Sequence, residues 1–191
     1  MSVQAPLIAS GLVVAALSAA GVFDYSLLLT TAVELPALLL LGWSLGSIAP
    51  APRWLERCNA GGLTGLLLAM LLLVLWMIPS AMDLVKVDAA MRAARIASLV
   101  LGVGYALRVS WPMTGLVMRW VWHLEAAGMM LRFGVAYLFA DRTLCSGISS
   151  SDQRATGAVL CLSGIAYLIG FGWKLIHQRG YAADPGSHNA S

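Results

Sequence analysis

The chain has 191 residues, 60% of them hydrophobic and 11% charged, with a mean hydropathy of +0.82. A soluble domain carries about 45–50% apolar and about 25% charged residues, so the polar side chains here are too few to cover a water-soluble globule. Twelve Lys and Arg against nine Asp and Glu leave a net charge of +3. That is no clustered basic face for nucleic acid, and the hydrophobicity excludes a disordered chain. An integral membrane protein in contact with the lipid bilayer is the expectation.

Charge-free runs then place the elements. A helix crossing about 30 Å of hydrocarbon needs about 20 mostly apolar residues. Residues 1–23 hold no charged side chain, and without a basic n-region they read as a retained first span, Pro6 to Phe23, rather than a cleaved leader. The second span runs from Ser26 to Ile48 with Glu34 as its one charge, and a polar loop with Pro50, Pro52, Arg53, Glu56 and Arg57 follows. The third is Gly62 to Met82. The fourth, Ala93 to Trp111, draws on flanking Arg stems that lie along lipid while their heads reach the interface. The fifth, Pro112 to Ala140, carries Arg119, His123, Glu125 and Arg132, and the sixth covers the uncharged stretch 155–173. The expected fold is therefore an all-α, six-span transmembrane bundle over residues 1–177, with a disordered polar tail from 178 to 191. The alternation of a β-barrel strand is missing from these runs.

An even number of spans puts both termini on one side. With that side cytoplasmic, Arg53, Arg57, Arg108, Arg119, Lys174 and Arg179 lie inside and Lys86, Arg92, Arg95, Arg142 and Arg154 outside, a slender positive-inside bias. Stripes of small residues suit close helix packing in lipid: Gly11, Ala15 and Ala19; Ser98, Gly102 and Ala106; Gly61 and Gly65. Packing within the chain is expected of them ahead of a dimer face.

Ionisable residues inside spans cost about 2.5–3.5 kcal/mol each on insertion scales, which marks them as candidate sites. They are Glu34, Asp83, His123, Glu125 and Arg132. Glu34, Asp83 and Arg132 fall at similar depth in the extracytoplasmic half, where they are expected to form a polar cluster. Arg132 follows Glu125 by seven residues, about 10.5 Å along a helix, so an interhelical acid is the expected partner. Pro36 and Pro79 each stand beside an acid and each removes a helix hydrogen bond. Two kinked helices around a polar pocket, or a plain helix stop at Pro79, both fit that pattern.

His123 is a single intramembrane histidine, and His177 near the cytoplasmic end and His188 in the tail are poorly placed to complete a bis-His haem pair. Met82 and Cys145 are the candidate soft ligands for Cu(I), although methionine is also a flexible filler of apolar gaps. Cys58, Cys145 and Cys161 show neither CxxC spacing nor an even count, so no disulfide framework or zinc site is signalled. No nucleophile elbow, HExxH, P-loop or dinucleotide fingerprint occurs, and enzymatic catalysis is not indicated.

The segment Trp76-Met77-Ile78-Pro79-Ser80-Ala81-Met82-Asp83, with Leu144-Cys145 and Asp152-Gln153, resembles the family of caa3-type cytochrome c oxidase assembly factors over about residues 60–170. Seven spans and more intramembrane histidines are usual in that family, and this chain departs on both. The resemblance implies a bacterial inner-membrane protein that assists copper insertion or maturation of a respiratory oxidase at the extracytoplasmic surface, with Asp83 and Cys145 at the matching positions. A structural accessory subunit among other membrane protein subunits of a respiratory complex, and a small transporter, are the competing readings.

Overall fold

Every regular element among the described residues is helical, the economical way for a backbone to satisfy its own polar groups in hydrocarbon. The computed structural model describes residues 4–49, 52–140 and 148–182. In chain order they form α1 (Gln4–Ala19), α2 (Leu27–Ile48), the short α3 (Arg53–Cys58), α4 (Leu63–Met77), α5 (Pro79–Val87), α6 (Ala89–Met113), α7 (Leu116–Phe139) and α8 (Ser150–Ala182). Three stretches, Leu27–Ile48, Ala89–Met113 and Ser150–Lys174, are long and apolar enough to cross a bilayer. α4 and α5 reach that standard only as a pair bent by 74°. α1 is apolar but has 16 residues, and α7 has the length while carrying Arg119, Glu125 and Arg132.

The bend falls within the span expected from Gly62 to Met82, at the proline read from the sequence as a kink or a helix stop. Ile78 sits before a proline, where the helical conformation is disfavoured, and it is extended at φ −72° and ψ 126°. The Ile78 amide closes α4 onto the Leu75 carbonyl at 3.2 Å, and the Ala81 amide bonds Ile78 at 3.1 Å. Ala81 thereby leaves the Met77 carbonyl without its helical donor, and the Tyr137 hydroxyl supplies one at 3.1 Å. α5 turns across the end of the bundle with Ala81, Met82 and Val85 buried beneath it.

Pro36 does not break α2. The five residues before Leu35 form one wide π turn, Thr30–Glu34, in which the Leu35 amide reaches back to the Thr30 carbonyl. A widened turn of this kind is where proline's missing donor and ring are accommodated, and such turns recur at functional sites. α6 begins earlier than its charge-free run suggests. The Asp88 carboxylate caps it by accepting from the Ala90 amide at 2.8 Å, which places Arg95 in the second turn of the helix. α8 continues to Ala182, taking in the first five residues of the tail expected from 178, and residues 183–191 lie outside the described part.

Glycines set the packing. A Cβ on Gly42 of α2 would stand 2.0 Å from the Val100 carbonyl oxygen and 2.9 Å from the Gly104 Cα, so α2 and α6 touch backbone to backbone. Gly11 seats Leu41, Gly102 seats Leu72, and Gly65 faces the Ser110 hydroxyl. All three stripes flagged in the sequence thus contribute to packing within the chain. Gly134 and Gly157 join α7 to α8 in the same way. One apolar core, with Leu38, Leu41, Leu73, Trp76, Leu99 and Val103, fills the space between α2, α4 and α6. A second, with Leu27, Met82, Tyr137, Ile148 and Leu160, ties the α7–α8 pair to the end where α2 begins.

Replacing Gly42 by Val forces the two backbones apart, and overpacking of this kind costs about 1–3 kcal/mol or more. Thermal unfolding in detergent should show a clearly lowered midpoint for Gly42→Val. Gly172→Ala, where the added carbon meets nothing within 4 Å, should leave it unchanged.

Candidate functional site

The chain order of the helices brings one set of ends together: the ends of α1, α4 and α7 and the starts of α2, α6 and α8. The carboxylates of Asp24, Glu34, Asp83, Asp88 and Asp152 all belong to this end.

Glu34 is its centre. The wide turn that precedes Pro36 directs Glu34 inward, and its side chain has no exposed surface. Its two carboxylate oxygens are divided between neighbours: Oε1 accepts from the Ser18 hydroxyl of α1, and Oε2 accepts from the Arg95 guanidinium of α6. Arg95 is itself 5% exposed. A buried carboxylate and a buried guanidinium thus neutralise each other where α1, α2 and α6 meet.

Around this pair the polar groups are largely satisfied by one another. Arg92, one turn before Arg95, donates to Asp24 at 2.7 Å and to the Lys86 and Ala19 carbonyls at 3.4 Å. Lys86 pairs with Asp83 at 3.0 Å within α5. The Ser98 hydroxyl accepts from the Trp76 indole at 2.8 Å and donates to the Arg95 carbonyl at 3.0 Å. Asp152 receives the Ser26 hydroxyl at 2.9 Å and the Leu27 amide at 2.6 Å, so the first turn of α8 caps the start of α2. Gln153, 3% exposed, donates to the Tyr137 carbonyl at 3.3 Å.

The expected cluster of Glu34, Asp83 and Arg132 is distributed differently. Glu34 meets Arg95, Asp83 meets Lys86, and Arg132 donates to Glu125 on its own helix. Helical side chains lean toward the N-terminus, so the long Arg132 reaches back along the exposed face of α7 to an acid two turns earlier. The side chains of that pair are 64% and 49% exposed, unlike the sealed pair at Glu34. His123 lies at the opposite end of the bundle, where its Nδ1 is 2.6 Å from the Tyr167 hydroxyl and its ring stacks 4.6 Å from Phe171.

The candidate copper ligands separate as well. Met82 is 7% exposed and packs among Leu27, Tyr137, Ile148 and Leu160. The crevice it borders also holds Lys86 and Arg95, and its volume of about 10 Å³ is room for about one water. Among the described residues no three His, Cys, Asp or Glu converge. Asp24 also borders the crevice but is paired with Arg92, and a single sulfur beside that carboxylate and two cations is not a soft donor set for a cuprous ion. Cys145 lies outside the described residues.

Arg95, Ser18 and Tyr137 were not singled out from the sequence, whereas Gln153 entered only through the Asp152-Gln153 element of the resemblance. Asp88 followed by alanines is an N-cap signal that would have moved the start of α6 back and Arg95 inward. Ser18 falls seven residues after Gly11 on one helix face. Tyr137 carried no distinguishing signal.

No protein-family model, curated protein or solved structure matches the chain.

Removing one partner of a buried pair strands the other charge, at a cost of about 3–5 kcal/mol. Arg95→Met should therefore sharply lower folded yield and melting temperature, and Glu34→Leu combined with Arg95→Met should recover most of both. Arg132→Met, which leaves a half-exposed Glu125 rather than a sealed carboxylate, should lower both less than Arg95→Met does. Fluorescence-detected gel filtration with a thermal ramp measures all three.

Proposed function

We propose that the protein is a six-span membrane protein, α1, α2, the α4–α5 pair, α6, α7 and α8 each crossing once, that acts as a non-enzymatic accessory or assembly protein of a respiratory oxidase. Its working end is the Glu34 end, on the extracytoplasmic side of a bacterial inner membrane. One observation carries the reading. The two described segments in which the resemblance to oxidase assembly factors resides, Trp76 to Asp83 and Asp152-Gln153, are far apart in sequence and meet at this end. Tyr137 joins them, its hydroxyl on the Met77 carbonyl and its own carbonyl receiving Gln153. Met82 and Ile148 pack in the same small core.

The chemistry of this end favours holding over transforming. Its buried ion pair is internally neutralised and its crevice admits about one water. The lipid-facing sides of the helices remain broadly apolar, with Leu12, Leu40, Leu71, Leu101 and Leu162 more than half exposed. Rigid polar ends on apolar helices suit a subunit that docks against other membrane helices. Copper delivery, the other duty the resemblance implies, draws no support from the surroundings of Met82.

The proposal is tested by purifying the tagged chain in mild detergent from its native membrane, then identifying co-purifying proteins and bound metals. Oxidase subunits at near-equal amounts without stoichiometric copper support the accessory role. Stoichiometric copper abolished by Cys145→Ala would replace it with metal delivery, and the absence of both would overturn the respiratory reading. For the span count, single cysteines at Ala5 and Ser187 in a chain freed of its own cysteines should label from the same side. Labelling from opposite sides would leave an odd number of crossings.

A further inference from the structure

The opposite end of the bundle holds a cavity of about 420 Å³ between the start of α7 and the far part of α8, bordered by the end of α6. Its walls include Trp111, Arg119, His123, Tyr167, Phe171 and Lys174. Three groups there are cationic or can become so, and no carboxylate lines it. Arg119 donates one Nη2 hydrogen to the Trp111 carbonyl at 2.8 Å and lies over the Trp111 ring, its Cζ 5.6 Å from the ring centroid. Its Nε is buried and has no hydrogen-bond partner. The Arg119 guanidinium is held in place by Trp111 with no described carboxylate beside it, and together with Lys174 it gives the cavity two cations to set against an anion.

The rest of the cavity describes the body of that anion. Tyr167 and His123 are hydrogen-bonded to each other, and the Phe171 ring beside them completes an aromatic wall. Leu116, which also borders the cavity, is 63% exposed, and on the same helix ends Val117, Ile169 and Trp173 are 72%, 66% and 66% exposed. The opening therefore gives onto the apolar flank of the bundle rather than onto an aqueous face. Charge is sorted to match. Asp24, Glu34, Asp83, Asp88 and Asp152 lie at the other end, three of them paired there with Arg92, Arg95 and Lys86, and Glu125 pairs with Arg132 along α7, while Arg108, Arg119 and Lys174 belong to this end. Anionic lipid headgroups attract such cations.

We propose that this cavity is a binding site for one anionic phospholipid, whose phosphate bridges Arg119 and Lys174 while its glycerol and upper acyl carbons lie along Trp111, Phe171 and Leu116. The site goes beyond the oxidase-accessory reading and stands at the other end of the molecule. Cations and aromatic residues that merely snorkel to the interface would accept any headgroup without preference, and that difference is measurable.

The full-length chain in detergent is titrated with dioctanoyl phosphatidylglycerol, dioctanoyl phosphatidylcholine and inorganic phosphate, with bound ligand counted by native mass spectrometry. One phosphatidylglycerol should bind with clear preference over phosphatidylcholine, and inorganic phosphate should not displace it. Arg119→Gln with Lys174→Gln should weaken phosphatidylglycerol roughly tenfold, through loss of two charge-assisted contacts. Gly170→Phe provides a second route. Gly170 lines the cavity and a Cβ there meets nothing within 4 Å, so the ring fills the site without disturbing the helix and should abolish the preference. Equal retention of both lipids, or unchanged binding in folded Gly170→Phe, would overturn the proposal. Full displacement by inorganic phosphate would assign the cavity to a soluble anion instead of a lipid.

Discussion

A carboxylate with no exposed surface, placed among helices this apolar, constrains everything around it. A buried carboxylate without a partner would be prohibitive, and so would the buried Arg95 guanidinium without one. The arrangement that satisfies both is a single junction where α1 brings Ser18, α2 brings Glu34 and α6 brings Arg95. Because α2 and α6 run parallel and pack through Gly42 and Gly104, fixing one end of that contact fixes its register along the whole pair. The depth of α1 follows from Ser18, and Gly11 against Leu41 two turns further along agrees with it.

Backbone irregularities concentrate around the same junction. The π turn at Thr30–Glu34 leads directly into Glu34, and a longer π segment, Ser98–Tyr105, begins three residues after Arg95. Widened turns rotate the side chains that follow relative to an ideal α-helix, and here they flank the two residues that must face each other. The broken helix at Pro79 serves the same end differently. α5 crosses the bundle and closes it, and the carbonyl freed by the break is used by Tyr137, which draws α7 and α8 onto the four helices before them. The result is one end where three acids are paired with three cations around a nearly closed crevice, and another with an open aromatic cavity bearing Arg119 and Lys174. That asymmetry is the feature any function of the protein must use.

Much of this was legible in the amino-acid order, and the limits have a physical origin. Runs without charge identify the apolar helices because insertion cost is a property of the segment itself. Glu34 stood out for the same reason, and Pro79 announced a break through local sterics. Its partner was not legible, since a sequence reports depth along a helix but not the rotation of one helix against another. Arg132 matched Glu34 in depth yet faces outward beside Glu125. Arg95 was taken for a flanking snorkelling residue because the charge-free run after it is short, and the cap at Asp88 shows that the helix had begun well before. The π turns are consequences of packing and had no signature in sequence. His123 drew notice as an intramembrane histidine, but the cavity it borders depends on Tyr167 and Phe171, which only the pairing of α7 with α8 brings to it.

The Glu34–Arg95 junction can be observed without disturbing it. Solid-state NMR dipolar recoupling on the full-length chain in lipid bilayers, with labelled glutamate and arginine side chains assigned through Glu34→Gln and Arg95→Lys controls, reads the distance from the Glu34 carboxyl carbon to the guanidinium. A hydrogen-bonded pair places these carbons about 4 Å apart, with strong recoupling that disappears in either control. Absence of that recoupling in the unsubstituted protein, or its persistence in Arg95→Lys through another arginine such as Arg132, would contradict the junction on which the fold is built.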